Sequence, residues 1–133
     1  MPLKESGEMY LESIYILCKS KSSVRSIDVA EYMNFSKPSV SRGVGILKKR
    51  EYITVDKDGY IFLTQTGKEA AERIFERHTV LTAIFKAIGV DEKIAAEDAC
   101  RIEHVISDDT FKAIKEFYQK MKKNSILIYY CFN

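Results

Sequence analysis

Asn34-Phe35-Ser36-Lys37-Pro38-Ser39-Val40-Ser41-Arg42-Gly43-Val44-Gly45-Ile46-Leu47-Lys48-Lys49-Arg50 is the stretch whose reading decides the fold. Ser36 is a good N-cap, and Pro38 stands in the first turn, where its missing N–H is no loss. Val40, Val44 and Leu47 recur at i, i+4 and i+7, so the pattern predicts a helix to about Arg50 with one buried stripe. Asn34-Phe35 reads as the turn before it. The other face begins Ser36, Lys37, Pro38, Ser39, Ser41, Arg42. Hydroxyls and cations at a helix N-terminus suit phosphate, and Arg42 is long enough to read a base edge. From Phe35 to Tyr52 the basic residues are Lys37, Arg42, Lys48, Lys49 and Arg50, against the single acid Glu51. That local surplus is a nucleic-acid footprint, although a solvated helix face is the plainer reading of any charge cluster. Gly43 and Gly45 each cost a helix about 1 kcal/mol relative to Ala. The GxGxxG nucleotide pattern is absent and no strand precedes it, so close packing against DNA or a neighbouring helix is expected instead.

Working outward, apolar residues from Tyr10 to Cys18 recur at helical spacing and predict a helix over 6–20. Ser26 reads as the cap of a short helix, Ile27 to Met33. After the decisive helix come two β-prone runs, Tyr52 to Val55 and Tyr60 to Leu63, separated by a segment containing the turn pair Asp58-Gly59. Helix, helix-turn-helix, hairpin is the order of a winged helix-turn-helix, whose second helix enters the DNA major groove. Thr64 or Thr66 then opens a long helix to about Ile88, ended by Gly89. Asp91 opens another to about Ile106, and Ser107-Asp108-Asp109 opens a last one to about Lys123. The tail, 125–133, reads as apolar and strand-like. The fold class is therefore mainly α, with a winged helix-turn-helix over 1–74 followed by a helical domain over 75–133.

The chain has 133 residues, 46% of them hydrophobic and 30% charged, which argues against disorder. No apolar run approaches the roughly 20 residues of a membrane helix, so no membrane role is expected. The start, MPLKESGEMY, lacks the apolar core of a secretory signal. Cys18, Cys100 and Cys131 are odd in number and irregular in spacing, which fits free thiols in a reducing cytoplasm better than a disulfide framework. The net charge of +2 decides little by itself.

Asp98-Ala99-Cys100-Arg101-Ile102-Glu103-His104 carries the chemistry. On a helix, Cys100, Glu103 and His104 fall within an arc of about 100°. Ile94, Ala95, Ala99, Ile102, Val105 and Ile106 share the neighbouring arc and are expected to face the core. A thiolate, a carboxylate and an imidazole converging beside a core suit Fe²⁺, Zn²⁺ or Co²⁺ more than Mg²⁺ or Ca²⁺. Two other readings stay open for the trio alone. One is a small buried Cys beside a solvated Glu and His. The other is a thiol enzyme or metalloenzyme using Cys100 and His104, for which no oriented base or oxyanion site is visible. No enzymatic activity is expected.

Several segments together resemble the diphtheria toxin repressor family of iron- and manganese-responsive regulators. They are Glu8 to Tyr15, the helix start Ser36 to Ser41, Leu63-Thr64-Gln65-Thr66-Gly67, Arg77-His78, and Asp98 to Ser107. The resemblance implies a winged helix followed by a helical metal-binding and dimerisation domain, a homodimer, and a palindromic double-stranded DNA operator. Carried over by matching positions, the primary metal site would use Met9, Cys100, Glu103 and His104. In the manganese-type branch carboxylates stand at the Met9 and Cys100 positions, so the sulfur pair favours Fe²⁺ over Mn²⁺; Co²⁺, Ni²⁺ and Zn²⁺ remain admissible. The iron-type ancillary site has His78 but shows Thr82 and Ala96 at its other positions, and is incomplete. Glu12 and His78 match the manganese-type binuclear site instead, with Glu103 able to bridge. Longer relatives append an SH3-like domain, which a chain of this length is not expected to contain. The function implied is repression of metal-uptake genes. The alternative is a metal-independent winged-helix regulator with a vestigial cluster.

Overall fold

The computed structural model describes residues 3–132, with side chains from 3 to 124. Two compact units divide the chain, Met1–Phe75 and Glu76–Asn133. The chain is mainly α: among the described residues there are six helices and two short strands. None of those helices is long and apolar enough to cross a membrane.

The first unit begins with α1 (Glu5–Ser20), α2 (Ser26–Met33) and α3 (Lys37–Lys49). Leu11 and Ile14 of α1, Val29 of α2, and Val40 and Leu47 of α3 are fully buried in one core. Their spacing is what makes each helix bury a single face. Ser36 caps α3, its hydroxyl accepting from the Ser39 N–H at 3.3 Å. Asn34 takes the left-handed conformation (φ 56°, ψ 43°) that ends α2 and turns the chain into α3. Ser26 is not a cap, as the sequence suggested, but the first residue of α2. The cause is Arg25, which is held extended by an isolated bridge to Tyr60 and donates its N–H to the Asp28 carboxylate at 2.8 Å.

Gly43 has a definite packing reason. A Cβ there would lie 2.5 Å from the Tyr10 ring, so its absence lets α1 lie close against α3. The Tyr10 hydroxyl donates to the Ser39 carbonyl at 3.2 Å in the same seam. Gly45 faces open space, and no such explanation covers it.

β1 (Ile53–Val55) and β2 (Ile61–Leu63) pair antiparallel, Ile53 opposite Leu63 and Val55 opposite Ile61. Ile53 and Ile61 point into the core while Thr54 and Phe62 face out, the alternation a one-sided hairpin requires. Asp56 organises the loop between them by accepting from the Asp58 and Tyr60 N–H groups, each at 2.9 Å. Thr64 then starts α4 (Gln65–Ala87). Its hydroxyl accepts from Gly67 N–H at 3.0 Å and lies 2.7 Å and 3.0 Å from the carbonyls of Glu51 and Tyr52. Gly67 is obligatory at this crossing, because a Cβ would come within 1.9 Å of the Tyr52 carbonyl oxygen.

The division between units falls within α4. The second unit holds the rest of α4, then α5 (Glu92–Ile102) and α6 (Asp108–Phe132). Val80, Leu81, Ala95, Ala99 and Phe111 are its buried apolar residues. Three expectations are corrected here. α5 ends at Ile102 rather than near Ile106, because Ser107 caps α6 by accepting from Thr110 N–H at 3.1 Å and the chain must turn before it. Ile94 and Val105 are exposed rather than part of the core face. Residues 125–132 continue α6 instead of forming a strand, while Asn133 lies outside the described residues.

Candidate metal centre and DNA-reading helix

In the second unit, Cys100 stands in the last turn of α5. Glu103 follows as its C-cap in right-handed helical conformation (φ −57°, ψ −27°), with His104 in the turn beyond. The spacing of three and four therefore still gathers the side chains, although only Cys100 is inside the helix. One donor atom from each of Cys100, Glu103 and His104 lies within 4.8 Å of the others. Cys100 is solvent-exposed, the His104 side chain is 2% exposed and Glu103 is wholly buried. The three thus run from the surface inward.

Glu103 is the centre of this arrangement. Its Oε2 lies 2.8 Å from Nδ1 of His78 on α4, and its Oε1 lies 3.2 Å from Nε2 of His104. Burying a carboxylate costs several kcal/mol unless partners compensate it; here Oε2 shares a hydrogen bond with His78, while Oε1 lies beside His104 Nε2 outside hydrogen-bond geometry. The donor set of thiol, carboxylate and imidazole is one that could hold a divalent transition metal. Helix spacing does not link His78 to Glu103, which stand 25 residues apart; only the family resemblance placed them in one site.

Arg77, the neighbour of His78 on α4, reaches the same turn. Its Nη1 donates to the carbonyls of Glu103 at 3.2 Å and Ile106 at 2.7 Å, its Nη2 pairs with Asp108, and its guanidinium lies 5.4 Å from the Phe111 ring centre. In the first unit, Met9 is half-buried and Glu12 buried, both on α1. Cys18 is half-buried, and desolvation pushes its thiol pKa up, which makes it the less reactive kind of cysteine.

On α3, Ser36, Lys37, Pro38, Ser41 and Arg42 are exposed and Ser39 is half-buried. Arg42 Nη2 reaches Ser39 Oγ at 3.4 Å. Sequence reasoning missed Arg25. This residue lines a cleft with Ser26, Lys37, Ser41 and Gly59, placing a second cation beside the start of α3. Its guanidinium donates to the Asp58 carbonyl at 2.7 Å and lies 5.2 Å from the Tyr60 ring centre, which ties it to the hairpin loop. Only tertiary pairing brings those segments together.

Residues 2–61 match the iron dependent repressor N-terminal DNA binding domain, and residues 64–125 match the iron dependent repressor metal binding and dimerisation domain. The uncharacterized HTH-type transcriptional regulator MJ0568 of Methanocaldococcus jannaschii is 31% identical over 122 residues, which is 90% of this chain and 98% of that protein. Among solved structures, the hypothetical protein SSo2273 from Sulfolobus solfataricus shares the fold with a TM-score of 0.69 at 19% identity, over 89% of this chain and 91% of that one. The manganese regulator SloR gives a TM-score of 0.74 at 25% identity, over 90% of this chain. The match covers 55% of SloR, so this chain spans about half that regulator's length. By its matches to both domains and to a relative along nearly the whole chain, the protein belongs to the iron-dependent repressor family of metal-dependent transcriptional regulators.

Proposed function

We propose that the chain represses metal-uptake genes by binding a palindromic operator as a homodimer when Fe²⁺ is held by Cys100, Glu103 and His104. The single observation that carries the metal assignment is the buried Glu103 carboxylate, with an imidazole nitrogen at each oxygen and the Cys100 thiol within reach. Sulfur beside nitrogen and oxygen favours Fe²⁺ over Mn²⁺, with Co²⁺, Ni²⁺ and Zn²⁺ as competitors decided by availability. Met9 enters as a further ligand on the strength of the family resemblance, as does Glu12 for a second site with His78. The 2.8 Å approach of His78 to Glu103 brings those two donors together within the second unit.

A bound cation supplies the positive charge against which thiolate, carboxylate and imidazole donors are held together. The chain's own part is to keep Glu103 dry, to orient His78 through the Glu103 carboxylate with His104 beside it, and to present Cys100 at the open side. Metal then favours the DNA-competent state by binding it more tightly, a shift of population rather than a push. In that state the exposed start of α3 reads the operator. Ser36, Lys37, Pro38, Ser39 and Ser41 position it on phosphates and Arg42 contacts a base edge, while two copies span about 34 Å or a multiple. Such a regulator works in the reducing cytoplasm, where Cys100 stays a thiol.

Operator binding measured anaerobically across a series of Fe²⁺ and Mn²⁺ concentrations tests this. Binding should require metal, respond at lower Fe²⁺ than Mn²⁺, and weaken steeply with salt. A Cys100→Ala, His104→Ala double variant that binds as tightly as the parent at every metal concentration would sink the metal assignment.

A further inference from the structure

We infer that Arg77 is a positioning residue that clamps the turn after α5 and so holds Glu103 and His104 in register with Cys100. The inference rests on the metal reading above. The last carbonyls of a helix have no partner within the helix and need one from elsewhere. At the end of α5 the Ala99 and Ile102 carbonyls accept from the N–H groups of Glu103, Val105 and Ile106, and a side chain from α4 meets the carbonyl of the C-cap Glu103. Arg77 Nη1 donates to the carbonyls of both Glu103 and Ile106, the two ends of the turn that carries His104.

Three features make this more than a chance contact. A cation at a helix C-terminus meets the negative end of its dipole. The planar guanidinium lies against the Phe111 ring, which fixes its plane, while Nη2 reaches Asp108 only at the solvent edge. Its neighbour in sequence, His78, holds the Glu103 carboxylate while Arg77 holds the Glu103 carbonyl, so one dipeptide of α4 grips one residue at both backbone and side chain. Donor atoms must sit within about 0.5 Å of their working positions for tight binding, so a turn that frays is a site that loosens.

Lysine makes a poorer grip, because its ammonium sits on a flexible stem and lacks the planar guanidinium that lies against the Phe111 ring while Nη1 meets the two carbonyls. Asp108, by contrast, is 97% exposed at the solvent end of the network, and an ion pair to so exposed a group contributes little.

The test uses the full chain, with Co²⁺ as an anaerobic spectroscopic probe. Arg77→Met should weaken Co²⁺ binding about 10-fold or more and alter its visible ligand-field bands, as loss of outer supports does. Arg77→Lys should fall between, and Asp108→Asn should stay within about twofold of the parent. A second reading needs no metal. The chain has two histidines, so ¹⁵N spectra of the metal-free protein show two imidazoles, both of which should shift in Arg77→Met but not in Asp108→Asn. Arg77 variants that fold by circular dichroism and keep the parent Co²⁺ affinity, bands and imidazole signals overturn the clamp. If Arg77→Met does not fold, Arg77→Lys decides alone; failure of both to fold overturns the proposal in favour of general stability. If the parent takes up no Co²⁺, the metal reading falls, and the imidazole signals still judge the clamp.

Discussion

His78 Nδ1 lies 2.8 Å from Glu103 Oε2, although the two residues are 25 positions apart and Glu103 is wholly buried. The carboxylate therefore orients an imidazole from α4 with one oxygen and sets the other 3.2 Å from His104 Nε2. Replacing it by an amide keeps the shape but removes the negative charge and one of the two oxygens that face the imidazoles. Glu103→Gln should reduce metal affinity by at least about 10-fold, read by competition with a coloured chelator. An unchanged affinity would show that the carboxylate is only a buried structural group.

Gly43 and Gly45 make a paired test of packing in the first unit. Alanine raises helix propensity at either position by about 1 kcal/mol. At Gly45 the added methyl meets nothing, and Gly45→Ala should stabilise the protein by up to that amount. At Gly43 it meets the buried Tyr10 ring at 2.5 Å, and such overpacking costs about 1–3 kcal/mol. Urea melts should therefore move in opposite directions for the two variants.

Asp28 links acid stability to the start of α2. Hydrogen bonds from the Lys21 ammonium and then the Arg25 N–H hold its carboxyl below the usual range. A folded-state pKa below the unfolded one stabilises the protein above the unfolded value, about 3.9, and that contribution is lost as pH falls through the folded value. The Lys21 amine is pushed up by the same contact, so its share persists until alkaline pH, above about 10.4. Asp28→Asn should melt below the parent at neutral pH, and the two melting curves should converge in acid. A gap that stays constant down to pH about 2 contradicts the linkage.

Cys18 and Cys100 should differ sharply towards an alkylating reagent. Desolvation raises the Cys18 pKa, whereas Cys100 is open to solvent beside His104. Mass spectrometry should find Cys100 modified first, and Fe²⁺ should protect Cys100 while leaving the rate at Cys18 unchanged. Removing the metal with a chelator should restore the fast reaction. Equal protection of both thiols would point to a general tightening rather than ligation.

Local chemistry alone determined much of this protein. The stripe Val40, Val44, Leu47, the Ser36 cap and the two β-prone runs specify a helix-turn-helix and its hairpin, because helix and strand periodicities are properties of neighbouring residues. The i, i+3, i+4 spacing of Cys100, Glu103 and His104 likewise brings their side chains together even though α5 stops at Ile102. What the sequence could not decide depends on groups far apart along the chain. The stop itself follows from Ser107 capping α6, with Arg77 satisfying the carbonyls of the turn that results. The place of Gly43 beneath Tyr10, the Arg25 bridge to Tyr60, and the meeting of His78 with Glu103 are likewise matters of packing between elements. Periodicity says which face of a helix is buried; only the folded chain says what that face meets, because contacts between distant segments carry no signal in local spacing.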